Sequence, residues 1–272
     1  MRISRLPVCQ QCLDGMRPMR GRLCSICGER MLASSFLVSP ADLGAESLVV
    51  AAEDEPSPCP LCRRVAPPFA KAVAYGSYQG GLREMIHLLK YASVFPAAKV
   101  LGRMVAEAMS GLEPLFAEGA ILVIAVPLHK SKRRQRGFNQ ADLIAKAALK
   151  FHPAGRFRLA GNILLRQRDT ESQIGMTSHQ RRENLRGAFA VARAEEVNGR
   201  EVLLVDDVLT TGATAAECAR LLLRAGASKV WVATAGRTLK LASNEDRERL
   251  QSFTVSGFQG SNQSAPGGVI AS

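Results

Sequence analysis

Apolar residues fall in short unbroken runs, each stopped by polar residues, and the clearest run is Val202-Leu203-Leu204-Val205, which ends against Asp206 and Asp207. Such runs suit strands covered on both faces, as the strands of a parallel sheet are. The same pattern predicts strands over Ala72 to Tyr78, Ile121 to Val126, Ala188 to Val191 and Val230 to Thr234, with a shorter stretch at Ile163 to Leu165. Between the runs the period changes. Leu82, Met85, Ile86 and Leu89 make one apolar face of a helix entered through Gly80 and Gly81. Further helices are predicted from about Ala97 to Met109, from about Asn139 to Leu149, and from near Ala213. Strands alternating with helices of this length imply an α/β fold, a parallel sheet with helices on both faces.

Two segments break the alternation. Arg63-Arg64-Val65-Ala66-Pro67-Pro68 interrupts regular structure and marks a boundary, and from Ser243 onward Gly, Ser, Gln and Asn dominate. The expected organisation is a cysteine-rich module over 1–66 with a loop insertion at Ser34 to Ser57, an α/β domain over 67–242, and a disordered tail over 243–272. A chain of 272 residues is long enough for one sizeable core and a small module. No apolar run approaches the roughly 20 residues of a spanning helix, and Met1 to Leu13 lacks a signal-peptide core, so a cytoplasmic protein is expected. The net charge of +12 implies anionic partners. A pyrophosphate-bearing substrate and nucleic acid both qualify.

Six of the seven cysteines form three Cys-x-x-Cys pairs: Cys9/Cys12, Cys24/Cys27 and Cys59/Cys62. In a reducing compartment such pairs point to metal, and two of them supply the four thiolates of a tetrahedral structural zinc. Cys27-Gly28 reads as a tight knuckle whose backbone N–H groups turn toward a metal-bound sulfur. Six thiolates overfill one site and underfill two. The more ribbon-like set is Cys24, Cys27, Cys59 and Cys62, which leaves Cys9/Cys12 without a partner pair, one that a start upstream of Met1 could supply. Pairing Cys9/Cys12 with Cys24/Cys27 has an equally good spacing and leaves Cys59/Cys62 unassigned. Cys218, among Ala215, Ala216, Ala219, Leu221 and Leu222, reads as a small buried hydrophobe.

The candidate chemistry sits after the Val202 run. Two acids at the carboxyl end of a buried strand occupy the position where open α/β sheets bind ligands. Thr210, Thr211 and Thr214 then offer hydroxyls, Gly212 permits close backbone approach, and a helix start near Ala213 favours a bound phosphate. Carboxylates accept from sugar hydroxyls and the turn donates to phosphate, so the segment reads as a sugar-phosphate site. A Walker loop is excluded, since no Gly-Lys-Ser/Thr follows the glycine. A phospho-receiver domain is excluded as well, since Asp246 is the only later aspartate and no lysine follows it.

The segment Val202 to Thr214 closely resembles the phosphoribosyl-pyrophosphate loop of type I phosphoribosyltransferases. The order of the whole chain, from about Cys9 to Thr238, resembles the ComF family, in which an N-terminal zinc ribbon precedes a type I phosphoribosyltransferase-like domain. Further marks are Pro67-Pro68-Phe69, Leu88-Leu89-Lys90-Tyr91, Val126-Pro127-Leu128, Arg136-Gly137-Phe138-Asn139-Gln140 and Gln180-Arg181-Arg182-Glu183-Asn184 leading to Ala188-Phe189. The resemblance implies binding of 5-phosphoribosyl 1-pyrophosphate with Mg2+, and transfer of the phosphoribosyl group by displacement of pyrophosphate. Asp206 and Asp207 would hold the ribose hydroxyls, and Thr210, Thr211, Gly212, Ala213 and Thr214 the 5-phosphate. Pro127, Leu128, His129 and Lys130 would form the pyrophosphate loop, with Lys130 nearest the leaving group and, beside the two acids, a catalytic residue. Lys132, Arg133, Arg134 and Arg136 would add positive charge, Asn139 would flank the same turn, and Arg166 to Arg186 would be a mobile lid. On that lid Arg181 and Arg182 would clamp the ligand and Asn184 would orient them.

The family includes natural-competence proteins implicated in importing single-stranded DNA, which implies single-stranded DNA and the DNA-uptake machinery as partners. The implied alternative to an enzyme is a non-catalytic accessory protein that senses phosphoribosyl pyrophosphate or binds single-stranded DNA. Aromatic residues make up only 5% of the chain, with a single Trp231 in a predicted core strand, which weighs against a base-stacking platform.

Overall fold

The computed structural model describes residues 6–31, 57–153, 155–169 and 178–239, all within one compact unit that runs to Leu239. Among them, five strands form a parallel sheet: β1 (Lys71–Ser77), β2 (Ile121–Ala125), β3 (Phe157–Leu159), and two longer strands further on, Glu201–Leu209 and Lys229–Arg237. Two short strands, β4 (Leu164–Arg166) and β5 (Phe189–Val191), pair antiparallel with each other as a separate ribbon. The two long strands are therefore β6 and β7, and the sheet order is β1-β7-β6-β2-β3. The predicted parallel sheet is present. The runs at Ile163 and Ala188 leave it, each being three paired residues long.

Alternation along β2 and β6 builds two cores from one sheet. Val123, Leu203 and Val205 face a layer formed by α3 (Gly80–Ala92), α4 (Pro96–Ser110) and a later helix at Gln140–Ala148, through Leu89, Leu101 and Ile144. Leu122, Ile124, Val202 and Leu204 face the opposite layer, where Cys218 and Leu222 of the helix Ala213–Arg224 pack beside Phe189 and Leu164 of the ribbon. Cys218 is fully buried, as its apolar neighbours require. This double coverage is why the strands read as unbroken aliphatic runs.

Two polar segments read as loops are helical: Lys130–Arg136, which is α5, and Ser178–Leu185, which is α7. Neither carries an apolar stripe for periodicity to detect. Helix α6 is Gln140–Ala148 and α8 is Ala213–Arg224. In the cysteine module, α1 (Gln10–Asp14) and α2 (Pro60–Arg64) are single turns that follow Cys9 and Cys59. The module lies along the outermost strand β1. The Ala72 N–H donates to the Ile26 carbonyl at 2.7 Å, the Met19 N–H to the Tyr75 carbonyl at 2.6 Å, and the Tyr75 hydroxyl to the Met16 carbonyl at 3.0 Å. Gly28 sits in this contact with φ +64°, and a Cβ there would lie 3.0 Å from the Ala72 carbonyl oxygen, so two constraints require glycine. Most of the loop insertion, residues 32–56, and the tail lie outside the described residues.

Candidate functional site

The chain runs from β2 outward to β3, then returns across β2 to β6 and continues outward to β7. The order therefore reverses between β2 and β6, and α6 and α8 cover opposite faces of the sheet there. A crevice at the carboxyl ends of these two strands is the position where open α/β sheets take ligands. Ala125 of β2 is in register with Val205 of β6, so Val126 to His129 and Asp206 to Asp207 emerge side by side. Pairing with β7 carries β6 past the acids to Leu209, so both aspartates belong to the strand itself.

Consecutive strand residues point to opposite faces. Asp207, 4% exposed, meets Lys90 of α3, whose Nζ lies 2.6 Å from Oδ2. Burial alone would lower the Lys90 ammonium, but the Asp207 charge raises it above the ordinary lysine range. Asp206 lies on the α8 side, and its Oδ1 accepts the Asp207 N–H at 2.8 Å. Burial, and then the Asp207 carboxylate beside it, push the Asp206 carboxyl up to about 8. Burial and the charge of Asp206 likewise push the Cys218 thiol well up. The two acids are thus unlike: one is paired to a cation, and the other has a raised proton affinity.

After Leu209 the turn exposes Thr210 and half-buries Thr211 and Thr214. Gly212 adopts φ +80° as the N-cap of α8 and offers no capping side chain of its own, so the positive dipole end of a twelve-residue helix begins directly at the turn. The Thr211 hydroxyl accepts from the Ala213 N–H at 3.4 Å. Phe69 of the Pro67-Pro68-Phe69 segment packs beneath Gly212 and is buried.

On the β2 side, Pro127 and Leu128 are half-buried and His129 caps α5, its Nδ1 accepting the Ser131 N–H at 3.3 Å. Asp169 of the following polar stretch reaches the same turn. It accepts from the Ser131 hydroxyl and lies 3.1 Å from His129 Nδ1, and the Ser131 hydrogen bond holds its carboxyl below the usual range. Lys130 is exposed and, with Arg133, Arg134 and Gly137, lines an open cleft of about 430 Å³. Arg136 donates to Gln140 Oε1 at 2.5 Å, and its guanidinium lies 5.5 Å over the Tyr91 ring. Asn139 caps α6 through Oδ1 and donates from Nδ2 to the Val126 carbonyl at 3.0 Å, which fastens the end of β2 to the helix. Arg181 and Arg182 fall on α7, but their side chains, and residues 170–177 of the expected lid, lie outside the described part.

The second cluster consists of cysteine sulfurs. Sγ atoms of Cys24, Cys27, Cys59 and Cys62 all lie within 4.8 Å of one another. A Zn–S bond of about 2.3 Å sets sulfurs of a tetrahedron about 3.8 Å apart. Cys27 and Cys59 Sγ are separated by 3.8 Å. The Cys27 and Cys59 N–H groups donate to Cys24 Sγ at 3.4 and 3.1 Å, the knuckle geometry expected from Cys27-Gly28. Against the upward pull of burial, these donors hold the Cys24 thiol down at about 7. The four cysteines can bind a zinc ion, and they are the set expected from the ribbon-like spacing. Cys9 and Cys12 are exposed and stand outside the cluster. Arg237, 4% exposed at the end of β7, donates to Glu29 at 2.8 Å and to Cys27 Sγ at 3.5 Å, joining this cluster to the strand beside β6.

A phosphoribosyl transferase domain matches residues 146–268. The DNA utilization protein YhgH of Escherichia coli O6:H1 is 32% identical over 221 residues, covering 80% of this chain and 91% of that relative. The chain belongs to the ComF family. Competence protein F of Haemophilus influenzae is 29% identical over 229 residues, covering 82% of this chain and 94% of its own length. Competence protein ComFC of Bacillus subtilis is 22% identical over 224 residues, covering 80% and 79%. No helix among the described residues is long and apolar enough to cross a membrane.

In this ComF protein the crevice gathers Pro127 to His129, Asp206, Asp207 and the Thr210 to Thr214 turn. Lys90 and Asp169 join them without the sequence having given either a role in the site. Lys90 belongs to the Leu88-Leu89-Lys90-Tyr91 mark, and its position in the last turn of α3 is the signal that was available. Its removal has a definite cost. Lys90→Met leaves the Asp207 carboxylate buried without its partner and is expected to destabilise the protein by about 3 kcal/mol, measured by urea unfolding. An unchanged midpoint would show that the pair contributes nothing net.

Proposed function

We propose that this protein binds 5-phosphoribosyl 1-pyrophosphate with Mg2+ and transfers its phosphoribosyl group to an acceptor. The observation that carries the reading is the pair of unlike acids at the β2/β6 reversal, followed directly by the threonine turn at the start of α8. In this reading the turn and the α8 N–H groups hold the 5-phosphate, and Asp206 and Asp207 accept the two ribose hydroxyls. Lys90 keeps Asp207 in place. Pro127 to Lys130 face the pyrophosphate, and Lys130 with its basic neighbours stabilises the charge that develops as the anomeric bond breaks. The carboxylate oxygens are hard donors of the kind Mg2+ takes together with substrate phosphates. When bound, Mg2+ would neutralise charge on the leaving pyrophosphate. Arg181, Arg182 and the rest of the lid would close over it and exclude water.

The names of the relatives, DNA utilization protein and competence proteins, extend the proposal to a role in handling single-stranded DNA during uptake. The basic α5 segment is the part of the chain suited to strand phosphates. The test of the enzymatic reading is pyrophosphate release from phosphoribosyl pyrophosphate, screened over nucleobases, ammonia and glutamine. Release that depends on one acceptor is the expected result. Tight binding with no release under any acceptor would assign the non-catalytic sensing role instead.

A further inference from the structure

Aromatic side chains are few, yet two of them stand in solvent at one place. Tyr91, near the end of α3, is 72% exposed, and Phe95, just before α4, is 53% exposed. Ser93, in the left-handed region with φ +52°, turns the chain between them. Phe151, the other exposed large aromatic among the described residues, meets no ring or guanidinium there. Tyr91 and Phe95 do. The Arg136 guanidinium lies over the Tyr91 ring, His87 meets that ring edge-on at 5.3 Å, and Phe138 packs against Phe95 with centroids 5.1 Å apart. His87 is held in turn by the Tyr78 hydroxyl at 3.0 Å from Nε2. The rings are therefore fixed by their neighbours while their outer faces remain open.

We infer that Tyr91 and Phe95, with Arg136, form a stacking surface for bases of a single-stranded nucleic acid whose phosphates run along α5. The inference rests on the DNA reading above and gives it a site. Charge complementarity selects the occupant. Arg136 and Phe138 sit on the same turn as Arg133, Arg134 and Gly137 of the basic cleft, so flat apolar faces and phosphate-binding cations share one surface. Alternating ring faces and cations is how strands are bound without sequence preference. An exposed Tyr or Phe alone would be ordinary. The location adds a connection, since Lys90, the neighbour of Tyr91, holds Asp207 in the crevice.

The test compares a labelled oligothymidylate with an abasic strand of the same length, by fluorescence anisotropy of the full chain across a salt series. Wild type is expected to bind the base-bearing strand at least about tenfold more tightly, within the range that stacking provides. Tyr91→Leu/Phe95→Leu keeps an apolar surface without a ring and should bind both strands alike, with an unchanged salt slope. Tyr91→Phe should retain the preference. Arg133→Glu/Arg134→Glu should flatten the slope, by about 0.7 per lost contact, and keep the preference. If wild type binds both strands alike, or the leucine variant keeps the preference, the stacking surface is refuted while DNA binding stands. Failure of wild type to bind either strand refutes the DNA reading and the stacking surface together.

Discussion

Asp206→Ala/Asp207→Ala is expected to abolish phosphoribosyl-pyrophosphate binding while the fold persists. Each acid is proposed to accept a ribose hydroxyl; the bond to the Lys90-paired Asp207 contributes about 1.5–3 kcal/mol and that to Asp206, whose carboxyl is pushed up to about 8, about 0.5–1.5 kcal/mol, so losing both weakens binding by roughly 30- to 2,000-fold. The two positions differ in what else they do. Asp207 also partners Lys90, so its removal leaves a half-buried ammonium and lowers stability. Asp206 makes no such ion pair among the described residues, and Asp206→Ala alone is the cleaner variant, expected to lose affinity with little change in the unfolding midpoint. Titration calorimetry of the double variant decides the matter. Wild-type affinity there would end the phosphoribosyl-pyrophosphate reading of the crevice.

The second large effect is expected from Cys59→Ser/Cys62→Ser, which should abolish zinc binding and unfold the cysteine module. The buried part of that module is Cys24, Cys59 and Cys62, backed only by Ile26, Cys27 and Met31, too little apolar surface to fold unaided. In small metal-organised folds the binding free energy of zinc, about 10–16 kcal/mol, is the folding free energy. Metal content by elemental analysis and limited proteolysis before Pro67 measure the two consequences. Full zinc content in the variant would return the assignment to Cys9/Cys12 with Cys24/Cys27. Loss of zinc with intact protease resistance would show that the module holds itself together by its hydrogen bonds to β1.

The parallel sheet was legible because a strand buried on both faces must be apolar at nearly every position, as Val202 to Val205 and Ile121 to Val126 are. The crevice was legible in part, because the acids and the threonine turn are contiguous. What joins them from elsewhere was not. Lys90 reaches Asp207 only because α3 packs beside β7 and β6, and no local pattern encodes that meeting. Asn139 illustrates the converse. Its neighbours suggested a ligand contact, and the structure engages both ends of its amide in holding α6 to β2. Helices α5 and α7 escaped because polar side chains surround them, leaving no period to read. Composition also undersold the aromatics, since their number says nothing about Tyr91 and Phe95 standing together in solvent.

The hydrogen bonds of Ile26 and Met19 with β1 have a consequence for the behaviour of the protein in bulk. β1 borders the sheet, and a bordering strand left bare offers unsatisfied N–H and C=O groups to any other chain that can align with them. The cysteine module occupies part of that row at Ala72 and Tyr75. Stripping zinc should therefore do more than loosen a small appendage. It uncovers a template for intermolecular strand pairing, so that chelator-treated protein self-associates in proportion to its concentration while the buried helices and the rest of the sheet stay folded.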